Sequence, residues 1–586
     1  MTAVLNLDRL SLEDNGLLDE LAVEIRTEFN ALVEKAGLEH EGNIDWMVAS
    51  IASRNKYLSP LFLRCCRLAL VQRVLDGDRG VGEIRTADRP LSAALRTHFQ
   101  RRRQRVSVVC TERASGRLKR MVTPYYHWLW ACLWFGLRCL GRSRAANLQI
   151  PRDQPITLVD TFVIKSRIGE GGSIHNGKYR DRYYPGLLSR LSEDERARIF
   201  YCPGFLGFWN PLEAFGLVRG AGDRFVIPDD FLKIRDYLFI LSFPLRVCRL
   251  VIPDVTFRGY EVTWMLRQER WFNCCNESSL LGLLNYRFAL RVSEAGIQVR
   301  LLVDWHENQA VDKGLISGFR CFQPSTSITG YQGYIVATNL HIYARPTAQE
   351  CRAGVAPHRL AVIGRGLLRE VREWTPDCEA IVAPAFRFEE VWSIRRRQPD
   401  TGTFTVLVGL PIGLDGSRKI LELLIAAKRK GGLAGVRFWL KPHPTVRPER
   451  IEPWLDGEHL NRHDIKTGNF EECIEGANLL VGNASSTCVE ALAKGVPVIV
   501  VGPRRGVSEN PIPADVPQSM WRICRTEDEM IEGIRFFQLQ GEADRRLHHE
   551  IGDQVRREYF EPVTVEGIRR FLQIDDSCSD TRAAGL

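Results

Sequence analysis

From Ile156 onward the chain repeats one pattern: a short apolar run, a polar turn, then a helical stretch. Ile156–Asp160, Ile199–Cys202, Val299–Val303, Tyr334–Ala337 and Leu360–Ile363 read as strands. Phe231–Leu241 and Ser279–Val292 read as helices between some of them. Such alternation predicts parallel sheets covered on both faces. A second unit starts near residue 402, with strands Phe404–Gly409, Val436–Leu440, Leu479–Val481 and Val496–Val501 and a helix from Ser417 to Lys430. The expected fold class is α/β, two Rossmann-like domains facing a cleft, with a mainly helical N-terminal extension. The expected divisions are 1–150, 151–398, 399–545 and 546–586, the last a C-terminal helix and tail. At 586 residues the chain has room for them.

In open α/β sheets, ligands sit outside the carboxyl ends of the strands. Two blocks at such ends carry the strongest chemical signal. The strand Val436–Leu440 runs into Lys441-Pro442-His443-Pro444, a rigid turn with a cation and a histidine. The strand ending at Gly482 runs into Ser485-Ser486-Thr487, which opens a helix. Helix N-termini offer unpaired N–H groups and partial positive charge, and hydroxyls there cap the helix, bind phosphate, or do both. Glu490, one turn on, can reach a ribose or stay a solvated helix carboxylate. Lys441, His443, Ser485, Ser486, Thr487 and Glu490 are therefore the candidate nucleotide ligands. Three acids follow strands and are candidates for the chemistry: Glu307 beside His306, Asp415 in a Gly-rich loop, and Asp160, followed by Gly169–Gly172. Each has a structural alternative as a cap, an ion pair or a strand-closing acid. Lys178–Tyr184 mixes cations and aromatics and suits either a glycan or an exposed loop.

These blocks resemble GT-B-type bacterial surface-carbohydrate glycosyltransferases of capsule and lipopolysaccharide synthesis. Within that group they are most similar to transferases using CMP-activated sugars (Kdo or sialic acid). Asp304–Gln309 followed by Gly330–Gly333 resembles the end of the first Rossmann unit in these proteins. The CDP-glycerol phosphotransferases of teichoic-acid synthesis are similar too. The resemblance implies that His443-Pro444 and Ser485–Thr487 hold the nucleotide phosphate. It also implies that Asp415 takes the place of the nucleophilic aspartate of retaining Kdo transferases. The implied activity is metal-independent transfer of a sugar from a nucleotide sugar to a surface polysaccharide or lipid-linked glycan. No cofactor is implied beyond the donor. A CDP-glycerol-type phosphotransferase, a UDP-sugar epimerase and an inactive glycan-binding scaffold stay open as alternatives.

Net charge of +9 over so long a chain predicts no nucleic-acid partner. Sixteen scattered cysteines without a CxxC pair suit reduced thiols. Met1–Glu28 has no basic stretch leading an apolar core, so no secretion signal is expected. The expected location is the cytoplasm, with one segment suggesting peripheral contact at the inner membrane. Tyr125–Leu137 contains three tryptophans, is interrupted by Arg138, and is flanked by Arg117, Lys119, Arg120, Arg142 and Arg144. That composition suits a helix lying on an anionic membrane surface, or an aromatic helix of the core.

Overall fold

The computed structural model describes residues 3–574 apart from 78, 144–149, 166–173, 176–177, 222–223, 337–343, 394–402, 445, 484 and 504–505. The Gly169–Gly172 loop, Arg144, the boundary at 398 and the last twelve residues lie outside the described ones.

The N-terminal region holds more than helices. Ala3–Asn6, Val81–Thr86 and Ser107–Cys110 form a three-stranded parallel sheet with Val81–Thr86 in the middle. These strands are short, half-exposed and interrupted by Glu83 and Arg85, so they leave no apolar run in the sequence. Helices Leu12–Glu24, Leu61–Asp76 and Arg89–Arg101 surround the sheet. Ser11 and Asp88 cap two of them, accepting from Asp14 N and Leu91 N, each at 3.0 Å. Pro60 stands just before helix Leu61–Asp76, where a missing N–H costs nothing. Ile252, Tyr260 and Leu266 complete this core, so a boundary at 150 does not enclose it.

The first large sheet has six parallel strands. Across it run Glu379–Val382, Arg359–Val362, Ser327–Gln332, Val299–Trp305, Ile156–Ile164 and Ile199–Leu206. The order reverses between Val299–Trp305 and Ile156–Ile164, which places a ligand crevice at their carboxyl ends. Tyr334–Val336 is loop; the strand lies earlier, at Ser327–Gln332, where serine, threonine and glycine hide it from a hydrophobic pattern. The strand at Ile156 runs on to Ile164, so Asp160 is mid-strand.

Helices Glu277–Glu294 and Ala310–Phe322 cross on one face of this sheet at close range. A Cβ on Gly314 would meet the Gly282 carbonyl at 1.9 Å, so no side chain fits there. This crossing fixes the helix that follows the Trp305–Gln309 turn.

The second sheet has five parallel strands in the order Val436–Lys441, Phe404–Gly409, Leu479–Gly482, Val498–Val501, Trp521–Cys524. Its reversal falls between Phe404–Gly409 and Leu479–Gly482. Helix Glu542–Tyr559 runs unbroken through position 545, so no domain ends there. The chain then returns to the first unit: Glu561 N donates to Ile363 O at 2.6 Å, and Phe571 packs on Tyr331.

The N-terminal region touches both units. Toward the second, Asn15 Nδ2 donates to Pro503 O at 2.8 Å and Lys56 pairs with Glu509. Toward the first, Arg54 and Lys313 hold the buried Glu350 carboxylate. Burial pushes that carboxyl up, but the two cations outweigh it and hold its pKa at about 2.

Candidate functional site

The carboxyl ends of the two sheets face one another. The Ile335 amide of the first unit donates to Ser486 Oγ of the second at 3.1 Å. Helix Ser486–Ala493 packs on the turn Phe386–Val391 that follows the last strand of the first unit.

One wall of the crevice is cationic. Lys441 ends its strand half-buried, and His443 sits two residues on in the proline-flanked turn. Burial drives the His443 pKa down to about 4; Arg387, Lys441 and Arg182, all nearby, push it the same way. Its imidazole is therefore neutral at pH 7, with one N–H and one bare ring nitrogen. Burial lowers the Lys441 pKa as well. Arg387 lies 5.7 Å from the ring centres of both Tyr183 and Trp305, within cation–π range. The Lys178–Tyr184 segment thus reaches the crevice through Arg182 and Tyr183, whose ring meets Trp305 edge-on at 4.6 Å.

Three cations and a neutral imidazole from three chain segments converge here. Like charges brought together favour an added anion, although Glu471 and Glu472 already lie within reach of Lys441. Arg387 was not legible in the sequence. It follows the strand Glu379–Val382, whose Glu-Ala-Ile-Val lacks a long apolar run. The available signal was Ala385-Phe386-Arg387 in a turn after a strand.

Glu307 adjoins this wall through Trp305, the ring that Arg387 approaches. Trp305 Nε1 donates to its Oε1 at 3.2 Å, and Gln309 Nε2 donates to its Oε2. Its backbone is fixed by Asp312, which accepts from Glu307 N and Gln309 N at 2.9 Å each. Asn308, between them, adopts φ 55°, a left-handed conformation that asparagine tolerates. The result is a half-buried carboxylate oriented by two donors, directly after the reversal point of the first sheet.

Behind it lies a buried acid cluster. Asp304 and His306 are joined by a 2.8 Å contact between Oδ2 and Nδ1. Burial, then the Glu307 charge, lifts the Asp304 pKa to about 8, while burial takes His306 down to about 4. Asp160 is buried beside Asp304, with its pKa raised well above the usual carboxylate range by burial and then by the Asp304 charge. It is an acid of the sheet interior, 8% exposed, not a group at the surface of the crevice.

Asp415 stands apart. The helix starts earlier than its sequence suggests, at Leu414, so Asp415 occupies the first turn, highly exposed, paired with Lys419. There it complements the helix dipole.

Ser485 is the N-cap of helix Ser486–Ala493, accepting from Thr487 N at 3.3 Å and from Thr487 Oγ1 at 2.9 Å. Ser485 stays exposed, whereas Ser486 is engaged by Ile335. Glu490 is not solvated: it is 5% exposed, and burial, with Glu471 adding, lifts its pKa to about 8 despite Lys494 and Arg387. The sign gives a test. A carboxyl whose folded pKa exceeds its unfolded value stabilises below the unfolded pKa, and that stability is lost as pH rises toward 8. Each unit of upward shift disfavours the charged form by about 1.4 kcal/mol. Glu490→Gln should therefore melt near wild type at pH 5 and increasingly above it toward pH 8. Parallel melting curves at the two pH values would show that Glu490 is not buried as a neutral acid.

Asp304, His306 and Asp312 each bring one ligand-type atom within 4.8 Å of the others, the one such group among the described residues. Asp304 Oδ2 meets His306 and Asp312 accepts from two backbone amides, while Asp304 Oδ1 and His306 Nε2 are buried without a hydrogen-bond partner. All three side chains are sealed from solvent, where no substrate would reach an ion between them, and turnover is expected to survive EDTA. Loss on chelation, restored by magnesium or manganese, would assign an ion to the crevice instead.

No family model matches the chain, and no curated protein matches it. Among solved structures, it is similar to the UDP complex of Staphylococcus aureus MnaA at 9% identity over 72% of this chain and 98% of that one, TM-score 0.41. Neisseria meningitidis UDP-GlcNAc 2-epimerase bound to UDP-GlcNAc matches at 10% identity over 71% and 99%, TM-score 0.39. Acinetobacter baumannii MurG matches at 11% identity over 72% and 99%, TM-score 0.37.

Proposed function

We propose that the chain is a glycosyltransferase that moves a sugar from a nucleotide donor to a glycan acceptor, with a CMP-sugar as the favoured donor. The supporting observation is a cationic cluster with an oriented carboxylate beside it. Arg182, Arg387, Lys441 and His443 make the cluster, and Glu307, just past the first sheet's reversal point, joins it through Trp305 and Arg387. Glycosyl transfer needs those two parts. The leaving phosphate gathers negative charge, which positioned donors stabilise. The acceptor hydroxyl needs a base to take its proton, and Glu307 is placed for that. Ser485 and the amides at the start of helix Ser486–Ala493 would add neutral donors to the phosphate grip. The acceptor in this reading is a surface polysaccharide or lipid-linked glycan.

A CDP-glycerol-type phosphotransferase is the second reading. The number of cations favours it, because three positive side chains match a diphosphate better than a single phosphodiester. Thermal shift with CMP, CDP, UDP and GDP separates the two. Ligand that binds only the folded state raises the melting temperature in proportion to the logarithm of its concentration over Kd. A shift with CMP comparable to that with CDP supports the CMP-sugar. A shift with CDP alone supports the phosphotransferase. No shift with any nucleotide overturns both.

A further inference from the structure

Helix Ala114–Gly141 is the longest in the chain at 28 residues. Its inner side is a narrow stripe. Pro124, Ala131, Phe135 and Arg138 are buried. Arg138 donates to Asp229 at 3.0 Å through Nε, and its guanidinium lies 4.7 Å from the Trp134 ring centre. So Trp134 and the arginine that interrupts the apolar run both belong to the anchor. The outer side is open among the described residues: Leu118, Tyr125, Leu129 and Leu133 are 57–65% exposed, and Trp128 and Trp130 are 42% exposed.

The apolar surface continues beyond this helix. Tyr125 meets Trp271 edge-on at 6.1 Å, joining the face to helix Thr263–Phe272, where Trp264 is also exposed. Trp128 Nε1 donates to Leu241 O at 3.4 Å, joining it to helix Ile234–Leu241, which exposes Ile234 and Leu238. Helix Phe243–Arg249 follows directly and exposes Leu245. A contiguous aromatic and aliphatic surface of this kind marks a binding face.

The four helices themselves turn no acid to solvent. Across these four helices the acids are Asp236 and Glu269, 0% and 1% exposed. Asp236 is paired with Arg291 and Arg287, and Glu269 with Arg64. The charges these helices show to solvent are cations: Lys119 and Arg249, with Arg235 and Arg267 beside the exposed acids Glu294 and Asp254 of neighbouring segments. Among the described residues no helix is long and apolar enough to cross a membrane. We propose that this four-helix face docks on an anionic lipid bilayer, with helix Ala114–Gly141 lying along the surface. Tyr and Trp rings then sit at headgroup depth, leucines reach the acyl boundary, and the cations meet lipid phosphates. The inference stands on this face alone and holds whatever nucleotide the crevice takes.

The test is sedimentation of the full chain with vesicles of phosphatidylglycerol in phosphatidylcholine, and with pure phosphatidylcholine. Binding is expected to the anionic vesicles in low salt, with a blue shift of tryptophan emission. It should fall in molar salt, where screening removes the phosphate attraction. Leu129→Ser with Leu133→Ser should weaken partitioning at least about tenfold, since each serine removes apolar area that insertion would bury. Should that variant fail to fold, Lys119→Glu, exposed on the same helix, tests the charge by itself and should also weaken binding. Wild-type protein that stays in the supernatant with anionic vesicles overturns the proposal. So does a chain that ignores vesicles and is a dimer by light scattering, turned into monomers by the leucine substitutions. The face would then be an interface between copies.

Discussion

Glu307→Gln should lower kcat by about two to four orders of magnitude, the range a positioned general base contributes. Nucleotide binding and melting temperature should change little. The expectation comes from how the carboxylate is held. Trp305 Nε1 still finds an oxygen to donate to in the amide, so the turn keeps its contact on one side. The Gln309 amide loses its acceptor on the other, a local disturbance in a half-buried turn. Asp312 continues to fix the backbone. What disappears is a group able to take a proton. A folded variant within about tenfold of wild type would mean that Glu307 only orders its own turn. The proton acceptor would then have to lie elsewhere, and Asp160, sealed in the sheet beside Asp304, is badly placed to supply it.

The sequence made the second unit legible and the first only partly so. Phe404–Gly409 and Leu479–Gly482 are nearly unbroken apolar runs because both faces of that sheet are covered, while the edge strand Val436–Lys441 alternates buried apolar residues with more exposed ones. Ser327–Gln332 is a buried strand of polar and small residues and Glu379–Val382 a short, partly exposed edge strand, and a hydrophobic pattern passes over both. The site followed the same division. His443 and Ser485 stand at strand ends whose strands are easy to see. Arg387 follows a strand that is not, and it reaches His443 only through the meeting of two units far apart in sequence. The exposed side of helix Ala114–Gly141 is another case. Composition leaves core and surface equally open, and the burial of Arg138 against Asp229 decides which side turns inward. The three-residue reach between Asp312 and the Gln309 amide is a capping pattern, local enough to read from sequence, but its consequence for Glu307 depends on the sheet behind it.

Arg387→Ala and His443→Ala should each weaken nucleotide binding by about ten- to a hundredfold, the effect of losing a hydrogen bond of about 1.5–3 kcal/mol to a charged group. The two differ in pH dependence, and that difference identifies the imidazole. Free His443 has a pKa near 4 because it is buried among Arg387, Lys441 and Arg182. An anion placed against it favours the protonated ring, so the bound state has the higher pKa. Binding then takes up a proton, and affinity must rise as pH falls from 7 toward 5. Protonation of the nucleotide's own phosphate works the other way, but it is common to every variant. Subtracting the profile of His443→Ala from that of wild type should leave a component that strengthens binding at lower pH. Arg387→Ala should keep that component while lowering affinity throughout, because its guanidinium stays charged at every pH tested. Lys441→Ala serves as a third position on the same wall. Unchanged affinity in all three folded variants would show that the convergence of cations does not hold the phosphate. Equal pH profiles for wild type and His443→Ala, with Arg387→Ala weakened, would keep the cationic grip and remove the histidine from it.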